Sequence, residues 1–163
     1  MPVPPHSPLP VPPFIGALLR IPSQAIHRRL IRELNASGFA EIALPHMAVL
    51  QYPGPDRMRP GTLADRAGIS KQAMNQLLRS LESAGYIVRG DHSEEGRARI
   101  VRLTKRGHAV YAKIKEVFIG IENEWSKELG PKAFTQLKDL LGRVWESPLV
   151  QDSVLADDPV DTS

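Results

Sequence analysis

A chain of 163 residues, 42% of them hydrophobic, can bury one core of ordinary size, and with 6% aromatics that core is mainly aliphatic. It contains no cysteine, which excludes a disulfide framework, a thiolate nucleophile, a cysteine zinc site and thiol redox sensing, and which fits a reducing compartment. The net charge of +3 hides a division: residues 1–145 carry +8, and the acids from Glu146 onward meet no Lys or Arg. No apolar run approaches the roughly 20 residues of a membrane span. The first 13 residues lack a basic leader and a continuous apolar stretch, so a cytoplasmic location is expected.

Residues 1–13 hold seven prolines and read as an extended or disordered arm. From Phe14 the apolar positions Leu18, Ile21, Ala25, Ile26, Leu30, Ile31 and Leu34 fall at helical spacing up to a stop at Gly38. Pro22 lies inside that pattern and either kinks one helix or opens a second. Residues 43–52 predict a short helix opened by Pro45, and residues 53–61 a loop rich in turn formers. Thr62 to Ala67 predicts another short helix, with Thr62 and Asp65 as a capping pair. Gly68 breaks the chain, and Ser70 caps a further helix that runs to about Ala84.

That last helix is divided. Met74, Leu77, Leu78 and Leu81 repeat as i, i+3, i+4, i+7 and should pack on Leu63, Ala67 and Ile69. The opposite face carries Lys71, Gln72, Asn75, Gln76 and Arg79, with no carboxylate before Glu82. Residues 86–89 and 97–104 read as two strands joined by the polar turn 90–96, with Arg97, Arg99 and Arg102 on or near the second. Between Arg57 and Arg106 there are eleven basic and five acidic residues, a net +6 around the divided helix. Two helices follow, one from Thr104 to about Gly130 and one from Pro131 to about residue 147. Residues 148–163 read as a disordered acidic tail.

The fold class is therefore mainly α with a small β-hairpin wing. A short helix, a tight turn with Gly, a second helix and a basic hairpin make a winged helix-turn-helix, whose second helix enters the DNA major groove. Asn and Gln pair with the adenine N6/N7 edge and Arg or Lys with guanine O6/N7, and a carboxylate on that face would repel phosphate. Gln72, Asn75, Gln76 and Arg79 are the candidate base readers or their neighbours. Ser70, Lys71 and Arg99 are the candidate phosphate holders. Two other uses stay open: a sequence-blind architectural DNA binder, and a winged helix for protein–protein contact, although the latter would want an apolar anchor at its centre. Five scattered histidines, without H-E-x-x-H, G-x-S-x-G, P-loop or G-x-G-x-x-G patterns, give no support to an enzyme, a metal site or a cofactor.

The stretch "GTLADRAGISKQAMNQLLRSLESAGYIVR" followed by "GRARIVRLTKRG" resembles the MarR (multiple antibiotic resistance regulator) family of bacterial transcription factors. The resemblance implies a winged unit over residues 44–104, flanked by dimerisation helices over 14–37 and 105–147 that interleave between two subunits. It implies a two-fold dimer on a pseudo-palindromic operator. It puts Arg97 at the wing position that reaches the minor groove. It further implies a repressor released by a small aromatic or phenolic acid bound between the dimer helices and the winged unit, where Arg20, His27, Arg28 and His46 can offer polar groups. The wing itself departs from the family's usual D-P-x-D-[RG]-R-A: it reads "DHSEEGRA", with His92 in place of proline and one residue more.

Overall fold

The computed structural model describes residues 13–50, 54–90 and 100–151. The first helix, α1, runs unbroken over Ile15–Ala36 with Pro22 inside it, so the single-helix alternative holds. Its inner face buries Leu30 and Leu34 completely. It ends in a six-to-one bond from the Phe39 N–H to the Leu34 carbonyl (2.9 Å). A 3-10 turn at Leu44–His46 leads into the one-turn helix α2 at Met47–Leu50.

Helix α3 spans Pro60–Ala67 and starts two residues earlier than its sequence suggests. Pro60 takes the first helical turn, where a missing N–H costs nothing and φ is already helical. Arg59 is the N-cap and its side chain does not cap the helix, and Thr62 and Asp65 form no capping pair because Thr62 already lies within the helix. Residues 54–59 precede it as a loop, and Met58 forms an isolated antiparallel bridge with Val101. Two backbone bonds close this bridge, Val101 N–H to the Met58 carbonyl (2.8 Å) and Arg57 N–H to the Val101 carbonyl (2.7 Å).

Helix α4 covers Lys71–Ser83; β1 is Ile87–Arg89 and β2 is Val101–Leu103, paired antiparallel with Val88 opposite Arg102. Helix α5, Lys105–Leu129, begins at Thr104, whose hydroxyl accepts from the Gly107 N–H at 3.0 Å. Gly107 lets α5 cross the backbone of the β1 approach, since a Cβ there would overlap the Tyr86 carbonyl oxygen. Helix α6, Pro131–Trp145, follows after Gly130. Residues 148–151 then make a helical turn instead of opening the tail. The Val150 and Gln151 N–H groups both donate to the Ser147 carbonyl, and the Gln151 amide donates to the Trp145 carbonyl. The remaining tail (152–163), the arm (1–12) and the wing tip (91–99) lie outside the described residues.

One aliphatic cluster joins α1, α2, α4, α5 and the hairpin, with Leu30, Leu50, Met74, Leu78, Tyr86 and Val110 at its centre. α1 lies along α5, α5 against α6, and α3 against α4. Arg29 of α1 and Glu124 of α5 pair at 2.6 Å. Beside the hairpin, the Tyr86 hydroxyl donates to Glu41 (3.0 Å), and the Arg106 guanidinium stacks on the Tyr86 ring (4.6 Å) while pairing with the same carboxylate (2.8 Å). The start of the hairpin and the start of α5 are thereby tied to the segment after α1. Among the described residues no helix is long and apolar enough to cross a membrane.

Candidate nucleic-acid interface

The turn between α3 and α4 is set by Gly68, whose φ of +63° places it in the left-handed region. The Ile69 N–H closes the turn on the Ala64 carbonyl at 3.2 Å. The Ser70 hydroxyl then accepts from the Ala73 N–H at 3.1 Å and starts α4. Ser70 therefore spends its oxygen on the helix, which leaves its hydroxyl proton as the group it can offer a phosphate.

Burial of Met74, Leu78 and Leu81, each at most 1% exposed, fixes the rotation of α4 about its axis. Leu77 is only half-buried and sits at the edge of that contact. With the helix so held, Lys71, Gln72, Gln76 and Arg79 are exposed and Asn75 is half-buried. These five predicted residues share one side of α4. Arg97 and Arg99 lie outside the described residues.

The hairpin adds a residue to which the sequence reading gave no role. Arg89, at the end of β1, has only 17% of its side chain exposed and grips Glu82. Its Nη2 and Nε donate to Glu82 Oε2 at 2.9 and 3.1 Å, and its backbone N–H donates to Oε1 at 3.2 Å. Nη1 lies 3.5 Å from Asn75 Oδ1. Glu82, the one carboxylate of α4, is thus paired from the strand side. A cleft of about 510 Å³ opens here between Arg59 and Thr62 at the start of α3, Lys71 and Asn75 of α4, and Arg89 of β1. Asp65 is the carboxylate on its lining. Arg59 and Arg89 escaped the sequence reading because neither sits on the patterned helix; a basic residue ending the first wing strand was the one available signal.

Behind α4 lies His46, which is buried at 8% exposure. Its Nδ1 accepts from the Ala43 N–H (3.0 Å) and its Nε2 is 3.0 Å from the Ser80 hydroxyl. Nδ1 is occupied as an acceptor, so the ring is neutral with its proton on Nε2, and burial lowers its pKa. A second cleft, about 720 Å³, runs along α1 between Gln24, His27, Arg28, Ile31 and Arg32, with Leu44 across from them. Of the four polar candidates near a ligand cleft, His27 and Arg28 line it. His46 is committed to Ala43 and Ser80, and Arg20 is not part of the lining.

Residues 47–98 match the model of the MarR family. Over those residues the winged unit is similar to the MarR family. Beyond it, the fold of nearly the whole chain is shared with solved structures. The Mycobacterium tuberculosis MarR family protein Rv2887, in complex with salicylic acid, is 25% identical over 83% of this chain and 99% of its own, with a TM-score of 0.58. NadR, in complex with 4-hydroxyphenylacetate, is 21% identical over 86% of this chain and 98% of its own, with a TM-score of 0.63. The transcriptional repressor CouR, bound to a 23-mer DNA duplex, is 20% identical over 80% of this chain and 92% of its own, with a TM-score of 0.64. No curated protein matches the chain. In chain order α3 and α4 are the two helices on either side of the Gly68 turn, and the β1–β2 hairpin follows them.

Proposed function

We propose that this chain is a sequence-specific double-stranded-DNA-binding transcriptional regulator that works as a homodimer, and that it is a repressor released by a small aromatic or phenolic acid. The observation that carries the DNA-binding part is the solvent face of α4. Lys71, Gln72, Gln76 and Arg79 stand exposed on a helix whose rotation is fixed by three buried side chains. Amide and guanidinium groups held rigidly at that spacing are what base edges in a major groove require. Ser70, Lys71 and, on the wing, Arg99 hold phosphates in this reading, and Arg97 enters the adjacent minor groove.

The homodimer is supported by apolar surface that one chain leaves uncovered. Phe14, Ile15 and Leu18 at the start of α1 and Leu140, Val144 and Trp145 on α6 are each about half exposed or more. The effector is supported by the α1 cleft, where Arg28 and His27 can meet a carboxylate beside the apolar Ile31 and Leu44. Solved relatives hold salicylic acid and 4-hydroxyphenylacetate.

Fluorescence anisotropy with DNA from the chain's own upstream region, at several salt concentrations and with random duplex as competitor, tests this. The expected result is competitor-resistant binding whose logarithm falls with log salt by about 0.9 for each neutralised phosphate. Gln76→Ala should cost about 1–3 kcal/mol on the preferred site and little on random DNA. Binding that random duplex competes away equally, with Gln76→Ala silent on every sequence, would establish a sequence-blind DNA binder instead. Salicylate or 4-hydroxyphenylacetate should release the specific complex, and insensitivity to both would remove the aromatic-acid part.

A further inference from the structure

We propose that Arg89 is a positioning residue that fixes which end of the Asn75 amide faces DNA, so that this position donates to acceptors on a base edge and does not make the two-bond adenine pairing. The inference rests on the DNA-binding reading above and concerns what one of its residues recognises.

The guanidinium of Arg89 has little freedom. Its Nε and Nη2 bind one oxygen of Glu82, its own backbone N–H binds the other, and the side chain is 17% exposed. The remaining nitrogen, Nη1, therefore points where the fork points, and it stands 3.5 Å from Asn75 Oδ1. That distance is long for a hydrogen bond, and its strength is not what matters. The sign is. A fixed cation beside an amide attracts the carbonyl end and repels the NH2 end, and the half-buried site screens that field less than bulk water does. Turning the amide over would set Asn75 N–H donors against an N–H donor of Arg89.

The outward group of Asn75 is then its NH2, which can only donate. The adenine pairing that makes Asn a common base reader needs both ends at once, Oδ1 accepting from N6 and Nδ2 donating to N7. With Oδ1 turned to Arg89, that pairing is closed. What remains within a major groove is donation to an acceptor: guanine offers O6 and N7 together and thymine O4, whereas adenine offers N7 alone with its N6 donor beside it, so guanine or thymine is preferred over adenine. Glu82 is part of the device: it holds Nε, Nη2 and the backbone N–H of Arg89, which leaves Nη1 as the donor that faces Asn75 Oδ1.

Selection of bound duplexes from a random library, using the full chain, gives the test. The wild-type chain, Asn75→Ala, Arg89→Lys and Arg89→Gln are compared, each first shown to be folded by thermal melting. A paired variant, Glu82→Gln with Arg89→Gln, strands no charge and serves if Arg89→Gln melts too early. Wild type should prefer guanine or thymine at one base pair per half-site, the pair whose preference Asn75→Ala abolishes. Arg89→Gln, or the paired variant, should lose about tenfold of discrimination at that same pair and admit adenine there, with the other pairs unchanged. Arg89→Lys, which keeps the charge without the fork, should fall between. Adding Asn75→Ala to Arg89→Gln should abolish what preference remains at that pair, the admitted adenine included, because Arg89 acts there only through Asn75. Adenine as the wild-type preference at the Asn75 pair overturns the inference. So does an Arg89→Gln loss that is uniform over all sequences, which would make Arg89 a structural or phosphate-binding residue. A wild-type chain that enriches no motif would sink the regulator reading itself, and this inference with it. A clear motif that Arg89→Gln leaves intact would sink the inference alone.

Discussion

His46 shows how one side chain can couple the helix-turn-helix to proton concentration. Its two ring nitrogens serve two elements, Nδ1 the turn at Ala43 and Nε2 the Ser80 hydroxyl on α4. Among the described residues, the elements packed against its turn offer no free carboxylate to pair with a charged ring. α2 has no titratable residue, Glu82 of α4 is engaged by Arg89, and burial is what lowers the His46 pKa. Folding thus favours the neutral ring. Above the unfolded value of about 6.5 both states are neutral and stability does not depend on this group. As pH falls below that value the unfolded chain takes up a proton that the folded chain refuses, and stability is lost until the lowered folded pKa is reached. Urea unfolding at pH 7.5 and pH 5.5, both above the carboxylate range, should show this loss, at a slope of at most about 1.4 kcal/mol per pH unit from this residue. His46→Gln keeps an acceptor and a donor without a titration, and its stability should differ less between the two pH values. Equal differences for both chains would mean that other groups carry the dependence.

At the scale of elements, α4 could be read from its sequence because independent signals agree: a serine cap, an i, i+3, i+4, i+7 apolar set and a glycine just beyond its end. The start of α3 could not. Its first turn is built from Pro60 and Gly61, which in isolation are turn formers, and Thr62 with Asp65 copies the letters of a capping box inside a helix that has already begun. The Met58–Val101 bridge is a single residue pair and leaves no period to detect. The grip of Arg89 on Glu82 joins a strand to a helix through a turn, and nothing in the alternation of either element announces it. The α4 face was therefore legible as a surface, while the cation that orders it was not. The two apparent caps give a comparison. Ser70→Ala removes the bond to the Ala73 N–H and should cost about 1 kcal/mol in urea unfolding. Thr62→Ala, which removes no cap, should stay within about 0.5 kcal/mol. A Thr62→Ala loss as large as that of Ser70→Ala would restore the capping pair that the structure lacks.

Across the whole molecule, the core and the uncovered apolar surface divide by helix. The winged unit closes on itself around Met74, Leu78, Tyr86 and Val101, all fully buried. α6 buries Phe134 but leaves Leu137, Leu140, Leu141 and Val144 between 38% and 50% exposed, a stripe at i, i+3, i+4, i+7. Each such side chain gains about 1.5–3 kcal/mol when fully removed from water. A helix with this stripe is stable in solution against a second apolar face, and the start of α1, with Ile15, Leu18 and Leu19 exposed, offers one. If this pairing makes the two-fold dimer proposed above, two copies of α4 would face successive major grooves about one DNA turn apart, and affinity for a palindrome would be a property of the assembly. Leu141→Glu puts a charge in the middle of the stripe without touching the buried set of its own chain. It should halve the mass found by light scattering at micromolar concentration and leave the far-ultraviolet circular dichroism helical. It should also weaken binding to a two-half-site operator by about a hundredfold or more, because the second half-site no longer binds at high effective concentration. Binding to a single half-site should be nearly unchanged, since α4 and its supports are intact. A Leu141→Glu chain that stays a dimer would move the interface off α6. One that becomes a monomer yet keeps full operator affinity would show that a single α4 suffices, and that the palindrome is not what this protein reads.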